Sequence, residues 1–332
     1  MTSLSILDYS PIDEESTPDQ ALRETTQLAK LADTLGYKRF WVSEHHHIPS
    51  VAGSSPQMLM MHLAANTTKI RIGSGGILLP NYSPYKVAEN IRVLQALYPG
   101  RIDLGIGSGT GANRIATKAL QAGKPRTDHR EQTADLIGYL SGTLPPEHPY
   151  SNLIVSPNID AVPDIWLLGA GGTSTEMAAE FGTALTFAHF ARPGIGPETA
   201  GQYRESFIPS AFCSKPRVMI AVFVVVAETN ERAEELAKAF DLWLYFVESL
   251  SSPPYYPSAE TASQRGTSER EREKMIRNRS RVLIGDALSV KTQLDKLINQ
   301  YNADEVLIMP HIAGFENRKT AIRLLADAFH LA

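Results

Sequence analysis

Short β-rich runs alternate with amphipathic helical stretches along the whole chain, the pattern of parallel strands joined by helical crossovers. Leu4 to Tyr9 reads as the first strand. Thr17 then offers a cap, Pro18 suits the first helical position, and Gln20 can close a capping box. Leu28, Leu31, Ala32 and Leu35 mark one face of that helix, and Gly36 ends it. Arg39 to Ser43 is the second strand, and Ser55-Pro56 opens a helix running to about Asn66.

Ile70 to Leu79 is a third strand, interrupted by Ser74-Gly75-Gly76. Ser83-Pro84 opens the next helix, which Pro99-Gly100 stops. Ile102, Leu104 and Ile106 alternate along a fourth strand before the glycine-rich turn Gly107 to Gly111. Asp128 to Glu131 resembles a capping box for a helix ending near Gly142. Past the irregular stretch Thr143–Pro163, strands are expected at Asp164–Leu168, Ala184–Ala188, Arg217–Ala227 and Glu305–Met309. Helices fall at about Ser174–Gly182, after Gly196-Pro197, from Thr229 to about Leu250, and from about Glu316.

Eight strands with helices between them predict an α/β fold, a (β/α)8 TIM barrel formed by residues 1–332 as one domain. A doubly wound open sheet is the alternative. Two insertions are expected, 143–163 after strand 4 and 251–267 after strand 7, where Pro253, Pro254 and Pro257 cluster.

An apolar fraction of 43% with 20% charged residues describes a globular chain with a substantial core. The net charge of −4, without a Lys/Arg-rich block, gives nucleic acid no stripe to follow. The single cysteine, Cys213, excludes a disulfide framework and a paired-cysteine zinc site, and it fits a cytoplasmic setting. Asp13, Glu14 and Glu15 stand where a signal peptide needs a basic start, so secretion is not expected. The longest apolar run, Met219 to Ala227, is about half the ~20 residues of a membrane-spanning helix.

In such a barrel, chemistry sits where strands end. Leu168 to Glu176 runs from a strand straight into a helix through Gly169, Ala170, Gly171 and Gly172, with Ser174 and Thr175 adding hydroxyls. It is either an anion cradle or a plain tight turn with a serine cap. Gly75-Gly76 is either a bulge or the seat of a flat ligand. His45, His46 and His47 leave a strand in different directions, so no metal site is expected; one of them is expected to face the barrel mouth.

Trp41-Val42-Ser43-Glu44-His45-His46, Ile72 to Pro80, Gly100 to Gly107 and Ser174 to Gly182 together resemble the bacterial luciferase-like, flavin-dependent monooxygenase family. The resemblance covers essentially the whole chain. It implies reduced FMN, delivered by a separate flavin reductase, reacting with O2 to give a flavin C4a-peroxide that oxygenates a small organic substrate. It further implies His45 as the proton-transfer residue, and a non-proline cis peptide at Gly75-Gly76 against the flavin ring. Ser108, Ala170, Gly171, Gly172 and Ser174 fall where the family holds the cofactor's phosphate. Residues 251–267 resemble a mobile lid.

One departure stands out. Ser108 occupies a position where many members carry a phosphate-pairing arginine, so Arg114 or Arg192 must supply a cation if tight binding is kept. A deazaflavin-dependent oxidoreductase on the same barrel and a non-catalytic flavin-binding protein are the two alternatives. Tyr9, Phe187, Phe190, Tyr255 and Tyr256 are candidates for an apolar substrate pocket. A homodimer is expected from the family, with Met58, Met60, Met61, Ile91 and Leu94 as a candidate face.

Overall fold

A computed structural model describes residues 2–122, 128–249 and 253–331. The first half alternates strand and helix: β1 (Ser3–Asp8), α1 (Pro18–Thr34), β2 (Arg39–Val42), α2 (Pro56–Asn66) and β3 (Arg71–Ser74). It continues with β4 (Ile77–Leu78), α3 (Pro84–Leu97), β5 (Ile102–Gly107), α4 (Arg114–Leu120) and α5 (His129–Ser141). Next come β6 (Asp164–Gly169), α6 (Gly172–Glu180), β7 (Ala184–Ala188), α7 (Gly196–Ser206), β8 (Val218–Ala227) and α8 (Asn230–Glu248). The chain ends with α9 (Ala259–Arg265), α10 (Glu269–Asn278), β9 (Val282–Asp286), α11 (Ala287–Tyr301), β10 (Glu305–Met309) and α12 (Phe315–Phe329).

All strand pairs are parallel, in the order β10-β1-β2-β3-β5-β6-β7-β8, and β10 pairs β8 to close the ring. This is the expected eight-stranded α/β barrel and excludes the open sheet. β8 is buried at every position, as its β-branched run requires of a strand covered on both faces. The predicted caps form: Thr17 accepts from Gln20 N, Asp128 from Arg130 N and Glu131 N, and Thr229 from Arg232 N. No helix among the described residues is long and apolar enough to cross a membrane.

The insertion after β5 is helix-free over 143–163, as expected. The one after β8 is larger than the sequence pattern indicated. Residues 251–267 are not all loop, because Ser258 caps α9; Ser251 and Ser252 lie outside the described residues. α10, β9 and α11 follow, and β9 pairs Phe223–Ala227, beyond the part of β8 that holds β7.

The N-terminal ends of the strands are plugged by charge. Arg39, fully buried, donates from Nε to Glu305 at 2.8 Å and lies 2.8 Å from Asp103. Arg71 pairs with Asp103, and Arg217 with Asp164. The guanidinium groups of Arg39 and Arg217 each lie 4.9 Å from the centre of the Trp166 ring. This end of the barrel carries stability and leaves the opposite end for chemistry.

Candidate active site

The third barrel strand is broken where the glycines stand. Gly73 pairs Asp103 and Ile77 pairs Ile106, so the strand carries one more residue than β5 over this interval, a bulge. The Gly75-Gly76 peptide is cis, as the resemblance implied. Ser74 Oγ donates to Gly105 O at 2.9 Å and accepts from Gly105 N at 3.1 Å. A Cβ on Gly105 would lie 2.0 Å from Ser74 O, so only glycine fits there. A Cβ on Gly75 would meet Leu7 at 2.8 Å and Trp41 at 3.2 Å; one on Gly76 would meet the β5 backbone at 3.0 Å. The protein's own packing therefore demands glycine at Gly105, whereas at Gly75 and Gly76 Leu7 and the β5 backbone would have to give way. The other side of Gly75 is half-exposed at the mouth.

Glu44, buried at the end of β2, organises the adjoining loops. Its Oε2 accepts from Leu78 N at 2.9 Å, while Oε1 accepts from Asn81 Nδ2 at 3.0 Å and bonds His46 Nε2 at 2.8 Å. His46 N donates to Gly111 O at 2.7 Å, which ties in the loop after β5. His46 is thus a bracing residue. His47 has φ +57° and is exposed. The three histidines diverge, and among the described residues no cluster could hold a metal ion.

His45 remains at the mouth, half-buried, its ring centre 4.8 Å from that of Tyr9. Burial, and then the neighbouring His46, push its pKa down to about 4, so the imidazole is neutral near pH 7. Tyr9 in turn lies 5.4 Å from His311, at the end of β10. Phe190 and Phe223 pack beside it, their ring centres 5.2 Å apart. Phe187 is fully buried against Tyr301 of α11 and does not line the mouth.

Next to β5, a cavity of about 400 Å³ collects Ser108, Gly169, Ala170, Gly171, Gly172 and Ser174, with His129 and Arg192. Of the two readings of this turn, the serine cap does not form: α6 starts at Gly172, with Gly171 as N-cap and no side-chain cap bond. Ser174 and Thr175 donate their hydroxyls to Gly171 O at 3.1 and 3.0 Å. Donors for an anion are therefore the uncapped amides opening α6 and the guanidinium of Arg192. Arg192 has no carboxylate partner among the described residues. Arg114 begins α4 and does not line this cavity, which leaves Arg192 as the cation beside Ser108. His129 opens α5 just after its cap, Asp128; the capping box marked the helix start but not that this end lies beside the Gly171 loop.

The three features share one end of the barrel. In register, Val42 pairs Ser74, Leu78 pairs Gly107, and Gly107 pairs Leu168. His45, Gly75-Gly76 and the Gly171 cradle therefore follow adjacent strand ends.

Residues 256–261 are fastened to the chain that follows β1 and β10. Tyr256 N donates to Ile12 O at 2.7 Å, and its hydroxyl donates to His311 O at 2.8 Å. Glu14 accepts from Ser258 N at 2.9 Å and from Thr261 Oγ1 at 2.7 Å. Tyr256 is an anchor rather than a pocket wall open to solvent, and Tyr255 is 37% exposed.

The chain resembles known proteins over nearly its whole length. A profile of luciferase-like monooxygenases matches residues 2–300. N-acetyl-S-alkylcysteine monooxygenase of Bacillus subtilis is 34% identical over 333 residues, spanning 99% of this chain and 98% of that protein. The crystal structure of apo-MsnO8 superposes with a TM-score of 0.88 at 34% identity, covering 100% of this chain and 99% of the other. The FMN-bound oxygenating constituent of 3,6-diketocamphane monooxygenase from Pseudomonas putida shares the fold, with a TM-score of 0.72 at 18% identity over 98% and 96% of the chains. With the barrel, the broken third strand and a family match over nearly its whole length, this chain belongs to the luciferase-like monooxygenases.

Proposed function

We propose that the protein is the oxygenating component of a two-component system: it takes reduced FMN from a separate reductase and uses O2 to oxygenate a small organic substrate. The observation that carries this reading is the run of adjacent strand ends from His45 through Gly75-Gly76 to the uncapped start of α6. A bound reduced flavin supplies the two electrons with which one oxygen atom of O2 enters the substrate and the other leaves as water.

This chain's own residues do the rest. The half-exposed main chain at Gly75 offers a flat seat for a ring system. Gly171 and Gly172 amides, with Arg192, hold the phosphate, and Ser108, Ala170 and Ser174 shape its cavity. His45, kept neutral, can accept or donate a hydrogen bond and pass a proton at its ring nitrogens. Tyr9, Phe190 and Phe223 keep water from the reacting atoms. The loop anchored by Tyr256 and Glu14 covers one side.

The similarity to an N-acetyl-S-alkylcysteine monooxygenase makes a thioether the first substrate to try. The reading also includes a homodimer. Met60, Ile91 and Leu94 are buried under the barrel's own helices, so the dimer face falls to Met58, 74% exposed, and its neighbour Leu22.

The test mixes the protein with reduced FMN, O2 and an N-acetyl-S-alkylcysteine, or a panel of aldehydes and ketones, and measures oxygenated product against O2 consumed. Product equal to O2 consumed supports the reading. Peroxide release unaffected by every compound would leave a flavin-binding protein without this reaction.

A further inference from the structure

The hydroxyl of Tyr9 is a polar group of the mouth that the proposed function leaves unused. Its direction follows from the two-residue repeat of β1. Ser5 Oγ donates to Glu305 inside the charged plug, and Leu7 lies against Gly75. Asp8 turns the other way, accepting from Thr25 Oγ1 of α1 at 2.5 Å. Tyr9 therefore points into the barrel, where its ring meets His45, His311 and Phe223 with centres 4.8, 5.4 and 6.3 Å away. Phe223 is directed inward as well, since Phe223 pairs Met309 and Met219 pairs Glu305 in the same register.

Buried contacts fix the backbone around this ring. Asp8 Oδ2 also accepts from Ser10 N at 3.1 Å, and Thr25 Oγ1 lies 2.8 Å from Ser10 Oγ. Ser10 has φ +52°, a left-handed conformation that a serine keeps where its surroundings impose it. Ser10 O accepts from Ala52 N at 3.0 Å, and His45 N donates to Gly53 O at 2.9 Å, so the loop carrying His45 is tied to the same place. Tyr9 is half-buried. Its hydroxyl has no hydrogen-bond partner among the described residues and is not one of the sealed polar atoms, so it meets the open mouth. A wall that merely excludes water would be served by phenylalanine. Burial raises the phenol's pKa, against the opposing charge of Arg281, so the group keeps its proton and can donate. Arg281 is engaged by Glu248 and the Phe190 carbonyl, and His45 is neutral, so neither offers a bare positive charge to a carboxylate.

We propose that the Tyr9 hydroxyl is a specificity-determining donor: it bonds a neutral carbonyl oxygen of the substrate, a ketone or an amide, and so sets which part of the molecule lies beside His45. The inference rests on the reading of the mouth as the place of oxygenation and adds what its substrate carries.

The test uses thiochroman-4-one and thiochroman, bicyclic thioethers with and without a ketone, on wild type and Tyr9→Phe. Affinities are measured by calorimetry without oxygen in the presence of reduced FMN, after a reduced-FMN titration and a thermal melt of each protein. The ketone is expected to bind wild type about ten-fold more tightly than thiochroman. Tyr9→Phe should lose most of that preference and keep its thiochroman affinity and its melting temperature. A ketone bound no more tightly than thiochroman, neither compound bound, or a preference kept by Tyr9→Phe would overturn the proposal. Loss of both affinities together with a lower melting temperature would make Tyr9 a wall residue and overturn it too. Should reduced FMN fail to bind wild type, the flavin reading falls, and the same comparison made without flavin still decides the role of Tyr9.

Discussion

Glu44 accepts a hydrogen bond from the backbone N of Leu78 at 2.9 Å, so a carboxylate at the end of one strand fixes the chain that leaves the Gly75-Gly76 peptide on the next. The same carboxylate takes Asn81 and His46, making the side chain next to His45 in sequence a brace for the Gly75-Gly76 turn.

Glu44→Gln replaces one of two acceptor oxygens by a donor that faces Leu78 N or Asn81 Nδ2. A buried mismatch of this kind costs about 1–3 kcal/mol. Chemical denaturation should show that loss, together with weaker binding of reduced FMN. Unchanged stability and affinity would mean that the brace has no bearing on the site.

His45→Ala is expected to keep flavin affinity within about two-fold and to lower oxygenation by about 10²–10⁴. The neutral imidazole also links stability to pH. Unfolded histidine protonates near pH 6.5, whereas native His45 waits until about pH 4. Between those values the unfolded chain binds more protons, so stability falls as pH drops through that window and levels off below it. Denaturation midpoints between pH 7 and 4 should fall less steeply in His45→Phe. An identical slope would remove His45 as a contributor.

Arg192→Gln should weaken FMN about ten-fold and leave riboflavin, which lacks the phosphate, unaffected. Arg114→Gln should change neither. Equal loss for FMN and riboflavin would place Arg192 away from the phosphate.

Arg39→Met takes the buried guanidinium from Glu305 and Asp103 and leaves them Lys38 and Arg71 alone. A buried pair broken outright costs about 3–5 kcal/mol, so a loss toward the lower end is expected, read as a lower denaturant midpoint with the opposite end of the barrel intact. A variant as stable as wild type would contradict the plug's role.

The eight barrel strands were legible because each carries its own run of β-branched or alternating apolar residues, and the helix caps at Thr17, Asp128 and Thr229 announce themselves locally. The segment from Ser268 to Asp304 was not. Five residues of β9 offer too short a pattern, and their partner, the upper half of β8, reads as part of a barrel strand. The glycine pairs were visible, but their cause was not. Gly75 and Gly105 are glycine because Leu7, Trp41 and Ser74 lie against them, contacts that no spacing along the chain reveals. For the same reason the spacing could not decide between a serine cap and an open helix start at Ser174. Arg39, Arg71, Asp103, Asp164, Arg217 and Glu305 all stand at or near strand starts, and only closure of the barrel turns that repetition into a network.

The most direct measurement is anaerobic titration with reduced FMN and, separately, with a reduced deazaflavin, followed by mixing with O2. Saturable binding of one FMN per chain, weakened in Arg192→Gln and followed by oxygen consumption, is the predicted result. Saturation by the deazaflavin alone, or no flavin binding at all, would contradict it.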